Sequence, residues 1–262
     1  MSSSSVVTGT TLPNWVRFAA PIGVGVIIVV GWILIVDVFK IAPRALPSPV
    51  QIGENIVQHW GIIVEDMGIT AGNALVGLIA GAVVGVALAG IAATMKPVDG
   101  MLAPLVAALA VVPIVALTPI LNSMFGASSQ FGRQAVAGIA AFIPIFVNVL
   151  RGLRQTRPVH RDLLRTSAAT GLQTFRVLTL PTALPYLMTG LRIASSLAVI
   201  SALVAEYFGG PADGLGTAIA TYSKSGRAAL AWAYVAGAIA IGLVFFLVTS
   251  LLERLVTRRT SG

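Results

Sequence analysis

Long apolar runs recur along this chain and leave few residues between them. Six of these runs match or approach the roughly 20 residues that an α-helix needs to cross a bilayer. They lie near residues 15–39, 69–95, 102–122, 134–152, 183–208 and 228–252. Charged residues make up 10% of the sequence, where soluble domains carry about 25%. The sequence therefore predicts an all-α, polytopic membrane protein with about six transmembrane helices, a flexible tail at 1–14 and a membrane domain over 15–262.

Arginine is concentrated in two of the polar segments. The loop 153–182 and the C-terminal tail are rich in arginine, and the acids that accompany them are Asp162 and Glu253. Cytoplasmic loops of membrane proteins carry such an excess of Lys and Arg. Both termini and the loop are therefore predicted to lie in the cytoplasm. The net charge of +8 follows from this orientation in lipid and does not indicate nucleic-acid binding.

Two of the apolar runs carry residues that shape helices. In the second run three glycines are spaced four apart, from Gly77 to Gly85, which predicts close approach of a neighbouring helix. The third run contains Pro104, Pro113 and Pro119, and prolines kink helices by freeing backbone groups. We expect that run to bend.

No catalytic or nucleotide-binding pattern is found in the sequence. There is no cysteine and no Gly-x-x-x-x-Gly-Lys-Ser/Thr loop, and the two histidines lie far apart. These features exclude a disulfide framework, Cys-ligated metal sites and ATP binding through that motif. The chain is predicted not to be an enzyme and to bind no metal or cofactor. Energy for uphill transport would come from another subunit or from an ion gradient.

The polar stretch Asp162–Arg192 separates the fourth and fifth runs. A short helix is predicted to open at Pro158, because proline is tolerated in a first helical turn. Gly171 is predicted to permit a bend, and a second short helix is predicted to end at Pro181. A helical hairpin with an apolar face and a basic rim favours a docking surface, although an ordinary basic loop would also account for these residues.

The pattern of this stretch resembles the cytoplasmic coupling loop of ATP-binding-cassette (ABC) importer permeases, which is roughly E-A-A, three residues, G, nine residues, I-x-L-P. Aligned on the closing Leu-Pro, Asp162 takes the place of the glutamate and Ala168 that of the glycine. By this resemblance the residues that couple to an ATPase are Asp162, Leu163, Leu164, Ala168, Gly171, Leu180 and Pro181.

The resemblance covers most of the chain from about Leu46 and is greatest to the nitrate/sulfonate/taurine-type branch. It implies a MetI-like type I fold in a bacterial inner membrane. It also implies two permeases, identical or related, two cytoplasmic ATPases that hold ATP and Mg, and an extracytoplasmic solute-binding protein. The implied cargo is a small organic or anionic solute, such as a sulfonate, taurine, nitrate, a pyrimidine, riboflavin or an aromatic acid. A self-contained secondary transporter or channel driven by an ion gradient is the alternative.

Polar residues inside the predicted spans are candidates for lining a translocation pathway. They are Thr118, Asn122, Asn148, Arg192 and Glu206. Because polar groups in lipid must find partners, hydrogen bonding between helices competes with solute contact at the first three positions. Glu206 either faces the pathway as a gate or solute contact, or caps its helix. Arg192 either extends to the cytoplasmic surface or closes an inner gate by pairing.

Overall fold

The computed structural model describes residues 14–126 and 128–260, and this part of the chain is helical without any strand. A π-helical segment, Phe175–Thr179, joins α8 to α9. The α-helices are α1 (Asn14–Val38), α2 (Pro49–Gln58), α3 (Trp60–Thr94), α4 (Lys96–Val111), α5 (Ile114–Phe125), α6 (Phe131–Arg154), α7 (Pro158–Thr166), α8 (Gly171–Thr174), α9 (Leu180–Tyr207), α10 (Leu215–Lys224) and α11 (Ala228–Thr260).

Four helical units in the described residues are long and apolar enough to cross a membrane. They are Trp60–Thr94, Phe131–Arg154, Gly171–Tyr207 and Ala228–Arg258. The pair α4–α5 makes a fifth if it is taken as one broken span. The first predicted run corresponds to α1, a helix of 25 residues that includes the apolar stretch Ile22–Val38.

The core of the bundle is formed by α3, α6 and α9, which meet through small residues. A Cβ atom added at Gly77 would lie 2.5 Å from the Cβ of Ala137, and one added at Gly81 would lie 2.5 Å from the carbonyl oxygen of Gly138. At Gly190 an added Cβ would lie 3.1 Å from the Cβ of Asn148. The predicted glycine contact is therefore confirmed. Close backbone approach maximises van der Waals contact where lipid supplies no hydrophobic drive.

The third predicted span is not one continuous helix. Val112 has an extended backbone and Pro113 follows it, so α4 and α5 meet at an angle of 103°. Proline supplies no N–H to the preceding turn, and its ring disfavours a helical conformation at the residue before it. Pro104 and Pro119 lie inside α4 and α5 without breaking them. We refer to residues 96–125 as the α4–α5 arm.

The two ends of the bundle differ in chemistry. At one end α3 and α6 terminate together with α7 and α8, and this basic end carries the arginine-rich loop. At the opposite end, the far end, α3 and α6 begin, α9 finishes and α10 lies between α9 and α11. The candidate site residues divide between these two ends.

Candidate coupling loop and membrane pathway

Helix α7 leaves its apolar side chains uncovered by its own chain. It begins at Pro158, as the sequence predicted, and none of its residues is buried. Val159 and Leu163 lie one helical turn apart and are 73% and 65% exposed. Leu164 is half-buried, and Asp162 forms an exposed ion pair with Arg165 at 3.8 Å. A short helix with an exposed apolar stripe is suited to contact a partner, since its own chain buries so little of it.

The bend after α7 lies at Ala168 and not at Gly171 as predicted. Ala168 has a φ of +53°, in the left-handed region that favours glycine. The N–H of Ala169 donates to the Leu164 carbonyl at 3.0 Å, and that of Ala168 donates to the Arg165 carbonyl at 3.0 Å. These two bonds form a Schellman motif, whose left-handed position is usually occupied by glycine. Ala168 is the residue that aligns with the glycine of the importer pattern.

Gly171 begins α8 and is not itself the bend. Thr170 precedes it as the helix N-cap, and its hydroxyl accepts the Gln173 N–H at 3.3 Å. The Gln173 side-chain oxygen accepts the Thr170 N–H in return, at 2.7 Å. This capping box fixes the start of the helix with side chains that sequence spacing alone identifies. The prediction placed the turn at the glycine because Ala168 carries no local sequence signal for a left-handed conformation.

Pro181 does not end the second helix of the loop, contrary to the prediction. It lies in the first turn of α9, directly after the π-helical segment. The Leu180 N–H donates to the Phe175 carbonyl five residues back, so the hydrogen-bond pattern changes just before the proline. Proline is tolerated there because the widened turn replaces the regular bond that it cannot make. The helix therefore continues from Gly171 to Tyr207.

The loop exposes further apolar side chains beside its basic residues. Leu180 is 45% exposed. The other large exposed apolar residues of the loop are Leu172, Phe175 and Val177. Its arginines are Arg154, Arg157, Arg161, Arg165 and Arg176. The arrangement offers an apolar surface with a cationic border to a partner at the basic end.

At the far end, Glu206 is enclosed by its own chain. Its side chain is 1% exposed and accepts hydrogen bonds from the Thr70 hydroxyl at 2.7 Å and the Gly216 N–H at 3.0 Å. The Asn73 amide donates to its other oxygen at 3.3 Å. Gly216 lies in the first turn of α10, so the carboxylate caps that helix and ties it to α3. The carboxylate is therefore closed off from solvent by its own chain.

A buried arginine that sequence analysis missed lies beside Glu206. Arg133, in the first turn of α6, is 0% exposed and forms an ion pair with Asp213 at 2.6 Å. Its other terminal nitrogen donates to the Pro211 carbonyl and to the Thr217 hydroxyl. Gln130 links this group to Asn73. We call the set the far-end cluster; its members are Asp66, Thr70, Asn73, Gln130, Arg133, Gln134, Glu206, Asp213 and Thr217.

Two polar residues of α5 are buried without partners in the described structure. Thr118 is 0% exposed and Asn122 is 7% exposed. Neither the Thr118 hydroxyl nor either polar atom of the Asn122 amide has a hydrogen-bond partner in the described structure. Asn122 packs against Gly132 and Gly209. Unpaired buried groups destabilise a structure by about 1–3 kcal/mol each.

The two remaining pathway candidates lie nearer the basic end and are partly accessible. Asn148 donates to the Pro144 carbonyl at 2.8 Å, which satisfies its amide within α6. Arg192 forms an ion pair with Glu253 at 3.1 Å, and Glu253 also accepts from Thr189 at 2.7 Å. This group links α9 to α11. The five candidates therefore do not converge on one cavity.

Among the described residues, no group of three His, Cys, Asp or Glu side chains is placed to hold a metal ion. The charges that the structure brings together are matched by arginine and by amide and hydroxyl donors. They therefore stabilise helix contacts instead of presenting an open set of oxygen ligands.

Comparisons with known proteins identify the architecture. The family model described as binding-protein-dependent transport system inner membrane component matches residues 77–262. Formylaminopyrimidine transport permease protein ThiX of Halalkalibacterium halodurans is 35% identical over 175 residues, which cover 66% of this chain and 69% of the relative. Taurine transport system permease protein TauC of Escherichia coli is 26% identical over 247 residues, covering 91% and 88%.

The fold also matches solved transporters. A structure of the MetNI methionine ABC transporter in an inward-facing conformation aligns with a TM-score of 0.64 at 18% identity, over 76% of this chain and 98% of that chain. The predicted all-α, polytopic, MetI-like fold is confirmed. The chain belongs to the binding-protein-dependent transport system inner membrane components, and it is a multi-pass permease of an ABC importer.

Proposed function

We propose that the loop 153–182 is the surface on which a cytoplasmic ATPase docks, with α7 as the coupling helix. Permeases of this family carry no ATPase site of their own and work with ATPase and solute-binding partners. The supporting observation is the exposure of Leu163, at 65%, on a helix without a buried residue. The arginine border supports a cytoplasmic position for this loop and for both chain ends.

In the assembled importer, two copies of the ATPase bind ATP and Mg²⁺ beneath two permeases. The permeases are two copies of this chain or this chain and a related one. A solute-binding protein delivers the cargo at the far end. ATP binding draws the ATPases together and displaces the coupling helices, so that the bundle alternates between two access states.

The cargo is a small organic or anionic solute. ThiX, TauC and the nitrate import permease protein NrtB of a Synechocystis species are named for such solutes. Asn148 and Arg192 are the polar pathway candidates within reach of a solute in this conformation, because Thr118, Asn122 and Glu206 are buried. Arg192, which is paired with Glu253 in this conformation, would offer a positive charge to an anionic solute when that pair opens.

Co-purification of the ATPase tests the docking surface. Leu163→Arg places a charge in the exposed apolar stripe of α7, and we expect it to abolish co-purification of the ATPase without lowering membrane insertion or thermal stability. Gln58→Arg is the matched control, since it adds the same charge at an exposed position at the end of α2, outside the loop. An ATPase that still co-purifies in normal amount with Leu163→Arg would refute the docking role.

A further inference from the structure

A single arginine joins three helix ends at the basic end of the bundle. Arg154 is the last residue of α6, and its guanidinium lies 2.7 Å from the carboxylate of Asp99 in the first turn of α4. The same nitrogen donates to the carbonyl oxygen of Ala92, in the last turn of α3, at 3.5 Å. Arg154 thus binds a carboxylate in the first turn of α4 and a backbone carbonyl in the last turn of α3. Both partners carry negative charge or partial negative charge, which suits the positive charge of arginine.

This contact is unusual for the α4–α5 arm. Within residues 14–126 and 128–260, the Asp99–Arg154 pair is the one side-chain ion pair or hydrogen bond that links the arm to the rest of the chain. Apart from this pair, the arm is held by packing, to which α4 contributes the buried Val106 and α5 contributes Asn122 against Gly132 and Gly209. The arm is therefore attached to the bundle at a single charged point.

The position of Arg154 along the chain adds a second argument. Three residues, 155–157, separate it from Pro158 at the start of α7. Along the chain, Arg154 is therefore the residue of α6 nearest to α7. At the opposite end of the arm, the break at Val112 and Pro113 leaves α5 at 103° to α4, with two polar side chains that have no partner.

We propose that Asp99 and Arg154 form a coupling strut, which transmits displacement of α7 to the α4–α5 arm and so shifts α5 at the far end. Both are positioning residues, and the inference depends on the proposed docking of the ATPase at α7. The side chains are 30% and 47% exposed. Partly exposed ion pairs add little to stability, so a merely structural role would leave the response to ATP unchanged when the pair is removed.

The absence of cysteine allows a direct test in the assembled importer. Ser123→Cys on α5 and Thr221→Cys on α10 place spin labels at two exposed positions. Their distance distribution is measured by double electron–electron resonance with and without ATP and vanadate. We expect an ATP-dependent shift in the otherwise native complex. ATP changes the equilibrium between the two populations of label distances. Asp99→Arg is expected to reduce this ATP-dependent change in the equilibrium constant roughly threefold to tenfold, a range common for coupling positions.

Charge exchange separates coupling from loss of structure. The double variant Asp99→Arg with Arg154→Asp restores the pair in reverse, and we expect it to regain at least part of the shift. Arg151→Ala is the matched control, an exposed arginine one turn earlier on α6 without an ion pair in the described residues. If Asp99→Arg prevents assembly, Asp99→Asn is measured in its place, because it removes the charge and preserves the size.

Two outcomes would overturn the strut. One is a label distance that ATP does not change in the native complex. The other is an undiminished shift in the Asp99 variant. Failure of the docking proposal is distinguishable from both, because it shows as an ATPase that still co-purifies with Leu163→Arg. ATPase co-purification is expected to be unaffected by Asp99→Arg.

Discussion

The far-end cluster and α5 lie side by side and differ in how far their buried polar groups are paired. In the described residues of the cluster, the Arg133 Nε is the buried side-chain polar atom left without a partner. In the cluster, both oxygens of Glu206 and all the polar atoms of the Asn73 amide have partners. In α5, the Asn122 amide and the Thr118 hydroxyl are as deeply buried but have none. Since unpaired buried groups destabilise, the contrast separates a fixed part of the bundle from a part whose present position is the less favourable one.

The difference teaches that polar residues in spans of this kind have two separate uses. Those of the cluster join α3, α6, α9 and α10 into one body. Those of α5 would gain partners by moving, to water, to a solute or to a second permease. The following substitutions test that distinction, starting with the largest expected effect.

Removing the buried arginine should have the largest effect. Arg133→Met removes the charged partner of Asp213 and a donor to the Pro211 carbonyl, while Gln130 still donates to Asp213. We expect the free energy of unfolding to fall by about 3 kcal/mol. Thermal unfolding in detergent micelles measures it. Arg227→Met is the control, because that arginine is exposed and its guanidinium lies over the face of Tyr222. A similar loss in both variants would mean that the cluster contributes no special stability.

The same substitution at two asparagines should change the free energy of unfolding in opposite directions. Asn73→Leu removes three hydrogen bonds and should destabilise the protein by about 2 kcal/mol. Asn122→Leu removes an amide without partners and should stabilise it by about 1 kcal/mol, since leucine has a similar volume and needs no hydrogen bond. Melting temperatures of the two variants compare the regions directly, and a shift of the same sign in both would break the contrast.

Glu206→Gln distinguishes a structural carboxylate from a gate. One amide nitrogen would face the donors of Thr70, Asn73 or Gly216, and we expect a loss of about 2 kcal/mol in unfolding free energy. Glu65→Gln, at an exposed position, is the control. A variant with normal thermal stability but altered solute uptake would instead favour the gate.

The smallest expected effect is at Thr118, whose buried hydroxyl has no hydrogen-bond partner in the described structure. Thr118→Val keeps the shape of the side chain and removes a group without a partner, and we expect stabilisation of about 1 kcal/mol or less. Thr70→Val is the same substitution at another buried threonine, but it removes a hydrogen-bond donor to Glu206. It should therefore destabilise the protein. Chemical denaturation in mixed micelles measures the free energy of unfolding of both variants. Equal free energies of unfolding would contradict the prediction.

Local patterns were sufficient to predict the helices and the close packing of the bundle. Apolar length predicts a membrane span because the bilayer sets it, and the glycine spacing from Gly77 to Gly85 depends only on helix geometry. The start of α7 at Pro158 follows from the fixed φ of proline. These features need no knowledge of which helices become neighbours.

The features that sequence reasoning missed depend on distant partners. Arg133 is followed by an apolar helix and gives no sign that Asp213, far along the chain, will neutralise it. The left-handed Ala168 is set by the Schellman bonds around it, and glycine three residues later was the more obvious choice. Pro181 was predicted to end a helix because a π segment is not visible in the sequence.

The uninterrupted helical unit Gly171–Tyr207 has a mechanical consequence. At about 1.5 Å per residue it is a shaft on the order of 55 Å long, with the basic loop at its foot and Glu206 at its head. The proposed docking surface of the ATPase and the Glu206 carboxylate therefore belong to one helical unit, in which the hydrogen-bond pattern changes at the π-helical segment Phe175–Thr179.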